Sequence, residues 1–438
     1  MKKHQNKIIL TLYLLIVIVN LNIIKIFADT NYLPELNPQG VYLMDGYTGE
    51  VLYEKNSNVK FEPASTTKVM TAIITLENVS LDEKVKIGEN PPYTDGSAIG
   101  VVEGEVYTVK ELLYALLLPS ANDAAVALAE YVAGSTEKFA EMMTEKAHEI
   151  GATSTTFKNP SGLHDEGHLT TAHDLALILQ YALKYDDFIK ISSTSEYKYE
   201  KNPYSDGSEK WAVNQNNCLA ATYALVNYPE FVYDNLYCGK TGYTPEANHT
   251  YVAAAKKGDQ LLIASFLNAD DKAALYGNVG PLFEWGFANY KTKKIVSEGD
   301  KIGEYNLSSD VIIPLLATKD VYYTFSSSDV KQEVDIDVDF PSRNYSAISI
   351  NKGDILFNNA SLLVNGQNYG TIDLASGLSR EYTAQDEIKD TIISLASNKL
   401  FIPALAVIVI LVIIFIIRVR KKVKYLKRRR IIRRKHNF

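Results

Sequence analysis

No arginine occurs before Arg343 in this 438-residue chain. The long body that precedes it must therefore recognise anions without the planar bidentate fork of a guanidinium. Cysteine is nearly as scarce, with only Cys218 and Cys238. Two cysteines cannot staple a disulfide scaffold; two buried thiols are the expectation, and a single bridge between them is the alternative. There is no internal repeat and no low-complexity block. Long hydrophobic runs are also missing, except at the two ends. What remains, 46% hydrophobic and 22% charged, is ordinary folded protein with enough length for two or three domains.

The ends set the expected topology. Residues 1–28 read MKKHQNKIILTLYLLIVIVNLNIIKIFA: a lysine-rich start, an apolar stretch from Ile8, then Ala28 before a polar sequence. That is the layout of a secretory signal peptide. Asn20, Asn22 and Lys25 weaken it as a permanent span, so cleavage near Ala28 is expected, although Ile26 fits the site poorly. An uncleaved anchor is the alternative. Residues 400–417 are uncharged and bounded by Lys399 and Arg418, just long enough to cross a hydrocarbon core of about 30 Å as a transmembrane helix. Beyond them, residues 418–438 hold twelve lysines and arginines and no acid. Such a tail belongs in the cytoplasm, against anionic membrane lipid. Removing its +12 from the formal −7 leaves −19, an acidic body unsuited to nucleic acid. The expectation is a single-pass cell-membrane protein with its body on the extracytoplasmic face and its C-terminus in the cytoplasm.

Along the body, GVYLMDGYTGEVLYEKN reads as a β-hairpin. Apolar periodicity predicts helices over 67–79, 108–133 with a break at PSAND, 136–150, 172–185 and 273–290. Thr171 and Asp174 stand in capping-box spacing. Strand signals fall at 233–240, 250–255 and 261–268. An antiparallel sheet with an inserted helical cluster accounts for this order. After Thr292 the texture changes: EVDIDVDF alternates strictly, and Gly353-Asp354 and Asn365-Gly366 mark turns, so a smaller all-β domain is expected.

Three stretches carry candidate chemistry. In PASTTKVMTA, Ser65 and Lys68 stand at i and i+3 on one helix face. A serine needs a base to become a nucleophile, and a lysine acts as one only when its pKa falls. Spacing alone decides nothing: Ser57/Lys60, Ser135/Lys138, Ser195/Lys198, Ser328/Lys331 and Ser349/Lys352 repeat it, and a capping serine with a solvated lysine explains such a pair equally well. In LLLPSANDAAVALA, Ser120 or Asn122 is either a cap after Pro119 or, with its partner, a pair directed into a cleft. In LYCGKTGYT, Lys240 and Thr241 end a strand and Gly242 permits close approach of another chain. A zinc peptidase built on His164, His168 and His173 with Asp165 and Glu166 is the rival reading, and Gly167, which breaks the helix that would align the first two, counts against it.

Together and in this order, S-x-x-K, S-x-N and K-T-G resemble the serine penicillin-recognising enzymes, specifically the low-molecular-weight D-alanyl-D-alanine carboxypeptidases. Long flanks share the resemblance, among them FEPASTTKVMTA, FKNPSGLHDEGHLTTAHDLALI and CGKTGYTPEANHTYVAAA, and it covers about residues 36–390. It implies an α/β fold of the α+β kind. A transpeptidase/β-lactamase-like domain would span 36–290, a β-rich spacer domain 292–390, and a membrane attachment would follow. It further implies that Ser65 attacks the D-Ala-D-Ala peptide bond of a peptidoglycan stem peptide, or a β-lactam, and that Lys68 takes its proton. Lys240 would assist Lys68 electrostatically, Ser120 relay a proton, and Asn122 hold the substrate amide and Lys68. Lys240 and Thr241 would receive the terminal carboxylate beside Gly242, and the N–H groups of Ser65 and Tyr243 would form the oxyanion hole. No cofactor and no metal is implied. One departure stands out: the arginine common in the family near the position of Leu275 is missing, so either Lys240 and Thr241 hold the carboxylate without a bidentate partner or a lysine such as Lys272 substitutes as a point charge. A β-lactam-binding sensor is the alternative function; a β-lactamase fits less well, because no deacylating glutamate is evident.

Overall fold

The computed structural model describes residues 33–435, apart from 205, 309–310, 330–332, 342–347, 384, 386, 389–390 and 393–400. The expected signal peptide, 1–28, lies outside the described residues. The chain divides into two units: Met1–Lys294 with Tyr322–Gln332, and Ile295–Val321 with Glu333–Phe438.

In chain order the first strands are β1 (Gly40–Asp45), β2 (Val51–Lys55), β3 (Lys84–Lys86), β4 (Val106–Thr108), β5 (Glu196–Tyr199), β6 (Lys210–Val213), β7 (Leu236–Thr244), β8 (Asn248–Lys257), β9 (Gln260–Ala269) and β10 (Tyr290–Val296). The main sheet is five-stranded and antiparallel, in the order β2-β1-β9-β8-β7. Strand alternation gives it two buried faces. Val41 and Leu43 of β1 pack with Ala253, Phe266 and the helix Lys272–Asn289. Tyr42 and Met44, on the opposite face, join Val252, Ile263 and the helices Lys68–Asn78, Val109–Leu117, Asn122–Ala133, Thr136–Glu149 and Ala172–Ala182. A strand covered on both faces carries a near-continuous apolar run, which is how YVAAA and LLIASFL read. The expected hairpin, helices and strands of this unit fall within a few residues of their predicted limits. The small β3/β4 and β5/β6 pairs are three or four residues long, each strand placing only one or two side chains, such as Val85, Tyr107, Tyr199 and Ala212, in the core, too few for the sequence to announce them. At Thr171 only the cap is made: its hydroxyl accepts from the Asp174 N–H, while the Asp174 carboxylate turns to Ser154, Thr155 and His173. Both cysteines are buried and free.

The second unit has β11 (Lys301–Ser308), β12 (Val311–Ala317), β14 (Ile336–Asp339), β15 (Ile355–Val364) and β16 (Gln367–Ser376) in one antiparallel sheet, order β11-β12-β16-β15-β14. Asn365 and Gly366, both at positive φ, form the two-residue turn between β15 and β16. The intervening β13 (Val321–Ser326) pairs with β10, Tyr322 stacks on Tyr47 at 4.5 Å and Thr324 hydrogen-bonds Thr48. The stretch 322–332 thus belongs to the first unit, so the second is discontinuous rather than an unbroken run over 292–390.

The expected span at 400–417 lies in a helix, Phe401–Lys435. Among the described residues, no helix is long and apolar enough to cross a membrane. Leu400 and the side chains of Phe401, Ile402, Ala404 and Leu405 lie outside the described residues.

Candidate active site

The nucleophile segment is a single 3₁₀ turn, Ala64–Thr67, running into the Lys68–Asn78 helix. In a 3₁₀ turn the side chains at i and i+3 eclipse, so Ser65 and Lys68 face each other more directly than on an α-helix. Lys68 is fully buried, and its Nζ makes three hydrogen bonds: to Ser65 Oγ at 2.9 Å, Asn122 Oδ1 at 2.7 Å and the Ser161 carbonyl at 2.6 Å. Burial pushes its pKa well below the ordinary 10.5; the nearby charge of Lys240 lowers it further, against a smaller opposing pull from Asp123. Among the described residues no other Ser-x-x-Lys pair does this. Ser135 is a helix cap accepting from the Lys138 N–H, Ser57 donates to Glu54, and Lys198 pairs with Glu209.

The PSAND break directs two residues toward this lysine. The helix Asn122–Ala133 is N-capped by Ala121 with no side-chain cap bond, so neither Ser120 nor Asn122 is a cap. Ser120 sits at φ 67°, a backbone region rare outside glycine, and the residue lines a cleft of about 320 Å³ that also contains Ser65; its hydroxyl oxygen is buried and has no hydrogen-bond partner among the described residues. Asn122 is 4% exposed and outside the cleft lining. It holds Lys68 through Oδ1 while Nδ2 anchors the side chain to the Asp95 carbonyl.

Strand β7 closes the other side. Thr241, Gly242 and Tyr243 line the cleft. A Cβ on Gly242 would lie 2.9 Å from the Ser65 backbone nitrogen and 2.3 Å from Thr250 Oγ1, so the missing side chain is what lets the strand lie against the nucleophile turn. Lys240 is buried behind them; its Nζ donates to the Thr241 carbonyl, and burial pushes its pKa down to about 7. Lys272, at the start of its helix, is the one charged side chain among the cleft-lining residues. It donates to Tyr228 Oη at 2.9 Å and lies over the Tyr228 ring. Burial first, and then Lys272, hold His249 below its ordinary pKa and hence neutral. A larger cavity of about 450 Å³ lies on the Thr136–Glu149 helix beside Glu137, Glu141 and His148, but no nucleophile converges there.

The sequence reading gave no role to Ser161, Gly162 or Thr67 and offered His168 only as a zinc ligand. Gly162, at φ 83°, packs so tightly on the nucleophile turn that a Cβ would come within 1.9 Å of the Ala64 carbonyl oxygen. The NPSGLH stretch was visible as a flank, yet its contact is made by backbone, which leaves no side-chain signature. The three histidines diverge. His173 pairs with Asp174, and His164 reaches Glu62. His168 is buried; its Nδ1 accepts from the Lys158 N–H, which makes Nε2 the donor to Thr67 Oγ1 at 2.9 Å. Burial lowers its pKa from 6.5 to about 3. Because the folded value is depressed, its contribution to stability is full above about pH 6.5 and declines as pH falls toward 3. Thermal melts between pH 7 and 4 should show a falling midpoint, and His168→Gln should flatten that slope.

A serine on a buried 3₁₀ turn, a desolvated lysine as its neighbour and an edge strand bearing Lys-Thr-Gly define the class of penicillin-recognising serine enzymes. Comparison with known proteins agrees. Residues 28–271 match the D-alanyl-D-alanine carboxypeptidase family, Peptidase S11, and the chain belongs to it. D-alanyl-D-alanine carboxypeptidase DacF of Bacillus subtilis is 35% identical over 267 residues, covering 60% of this chain and 65% of DacF; the match thus spans slightly less than two thirds of that relative. The solved D-alanyl-D-alanine carboxypeptidase of Mycobacterium tuberculosis H37Rv superposes with a TM-score of 0.53 at 33% identity, covering 60% of this chain and 95% of that one. Penicillin binding protein 5 of Haemophilus influenzae, 24% identical, shares the fold over 79% of this chain and 98% of its own, with a TM-score of 0.63.

Proposed function

We propose that this protein is a serine-type D-Ala-D-Ala carboxypeptidase that removes the terminal D-alanine from peptidoglycan stem pentapeptides and is acylated by β-lactams. The observation that carries the reading is the environment of Lys68 Nζ. Two of its three partners, Asn122 Oδ1 and the Ser161 carbonyl, can only accept. A neutral amine therefore spends both N–H bonds on them and turns its lone pair to the Ser65 hydroxyl.

Lys68 takes the Ser65 proton as Oγ attacks the scissile carbonyl. The N–H groups of Ser65 and Tyr243 receive the oxyanion, each worth about 3 kcal/mol. The proton then returns from Lys68 through Ser120 to the departing D-alanine nitrogen, the C–N bond breaks, and an ester on Ser65 remains. Water hydrolyses that ester with Lys68 again as base. Thr241, the buried Lys240 and Lys272 bind the terminal carboxylate, with Lys272 taking the place of the absent arginine as a point charge. Lys272→Met is expected to raise KM by about 10- to 100-fold with little change in kcat, in keeping with the roughly 1.5–3 kcal/mol of a hydrogen bond to a charged group; steady-state kinetics on a stem pentapeptide check this.

The same reading includes a cleaved N-terminal signal, a membrane span at 400–417, a cytoplasmic tail and a β-rich spacer that sets the catalytic unit at a height above the membrane. The hydropathy and charge of the two ends support it. The test is to incubate the protein with a stem pentapeptide and, separately, with penicillin, then to measure free D-alanine and protein mass. Released D-alanine and a penicillin adduct mapped to Ser65 are expected. An adduct without turnover would favour the sensor; no adduct, or one at another residue, overturns the proposal.

A further inference from the structure

Beside the nucleophile turn, on its outer side, three side chains from distant segments converge without a part in the chemistry above. Glu62 precedes the turn, His164 follows Gly162, and Glu246 lies in the connection between β7 and β8. Their ligand atoms, one from each residue, all lie within 4.8 Å of one another. His164 Nδ1 stands 2.9 Å from Glu62 Oε1. Glu246 accepts no hydrogen bond from the described residues, although its carboxylate approaches that of Glu62. Two carboxylates this close repel, and one imidazole offsets that only in its protonated form.

We propose that Glu62, His164 and Glu246 form a site for a divalent cation of the zinc type. One imidazole and two carboxylates suit Zn²⁺ better than Ca²⁺ or Mg²⁺, which favour all-oxygen shells. Metal–ligand bonds of about 2.0–2.2 Å place tetrahedral ligands about 3.4 Å apart, so small torsional changes of the exposed His164 and Glu246 and the half-buried Glu62 bring them from the observed spacing to coordination. Three protein ligands leave a fourth position for water. The site is a brace rather than a second catalytic centre. Glu62 lies three residues before Ser65, His164 three after Ser161, whose carbonyl accepts from Lys68, and Glu246 three after Tyr243. A bound cation would tie together the segments that carry the nucleophile, the acceptor for the lysine and the end of the catalytic strand, and so hold the cleft at one width.

The test uses the full-length chain in detergent, stripped with a chelator and titrated with ZnCl₂, with bound metal and thermal midpoint as readouts. Neither depends on turnover, so failure here is distinct from failure of the carboxypeptidase reading. One-to-one binding with a raised midpoint is expected, and affinity should fall by about tenfold or more in both Glu246→Gln and His164→Gln. The metal-free midpoints of both variants, compared with that of the parent, show that they fold. Absence of saturable binding up to about 100 µM zinc, or binding unchanged in the two variants, overturns the proposal.

Discussion

Lys68→Met is expected to slow acylation by penicillin by about 10⁴-fold while the protein still folds. General-base assistance accounts for about 10²–10⁴, and the substitution removes in addition the positive charge that forms on Lys68 as the oxyanion develops. Methionine fills a similar volume and is buried without the cost of desolvating an amine. Against this, Asn122 Oδ1 and the Ser161 carbonyl lose their donor, at about 1–3 kcal/mol each. The thermal midpoint should therefore fall modestly. Mass spectrometry over a time course measures the rate, and a value within tenfold of the parent would sink the assignment of Lys68 as base. The parent's pH profile gives an independent check. Burial and the neighbouring Lys240 charge hold the Lys68 pKa well below 10.5, so the rise in acylation rate with pH should be complete well short of that value. A rate still climbing near pH 10 would contradict this.

Gly162→Ala should be the most damaging single-methyl change outside the reacting residues. The left-handed φ of 83° costs about 1–2 kcal/mol for any residue with a Cβ. The Cβ itself would lie 1.9 Å from the Ala64 carbonyl oxygen and 2.8 Å from Thr67 Oγ1. Neither neighbour is the loose end of a flexible side chain. Either the nucleophile turn or the 159–163 loop must move, and the second movement carries the Ser161 carbonyl away from Lys68. A loss of about 4 kcal/mol or more in chemical denaturation is expected, with penicillin acylation reduced by about 100-fold or more in whatever folds. Near-parental stability and acylation would show that the contact is softer than its distances.

Much of this was legible in the sequence, and the exceptions have physical causes. The main sheet and its helices announce themselves because each buries a regular apolar face. Ser65, Lys68, Ser120 and Lys240 are legible because their types recur in order within long flanks. The 3₁₀ geometry of Ala64–Thr67 is not, since α and 3₁₀ turns share sequence preferences and differ only in how tightly Ser65 meets Lys68. The contact of Asn122 with Lys68 was expected; its second bond, to the Asp95 carbonyl, was not, because a backbone acceptor 27 positions away leaves no local pattern. Ser161 and Gly162 act through a carbonyl and a missing Cβ, neither of which side-chain chemistry reveals. His168 was visible as a residue but not as a partner of Thr67, 101 positions away.

The strand that carries Lys240, Thr241 and Gly242 is the last of its sheet and has one ladder neighbour, β8. An unpaired strand edge is ordinarily a hazard, because any passing extended chain can add to it and seed aggregation. Here the nucleophile turn packs against that strand at Gly242, and Thr241, Gly242 and Tyr243 line the cleft. On the proposed function the liability would become a use: an extended stem peptide laid along this edge would pass beside Ser65.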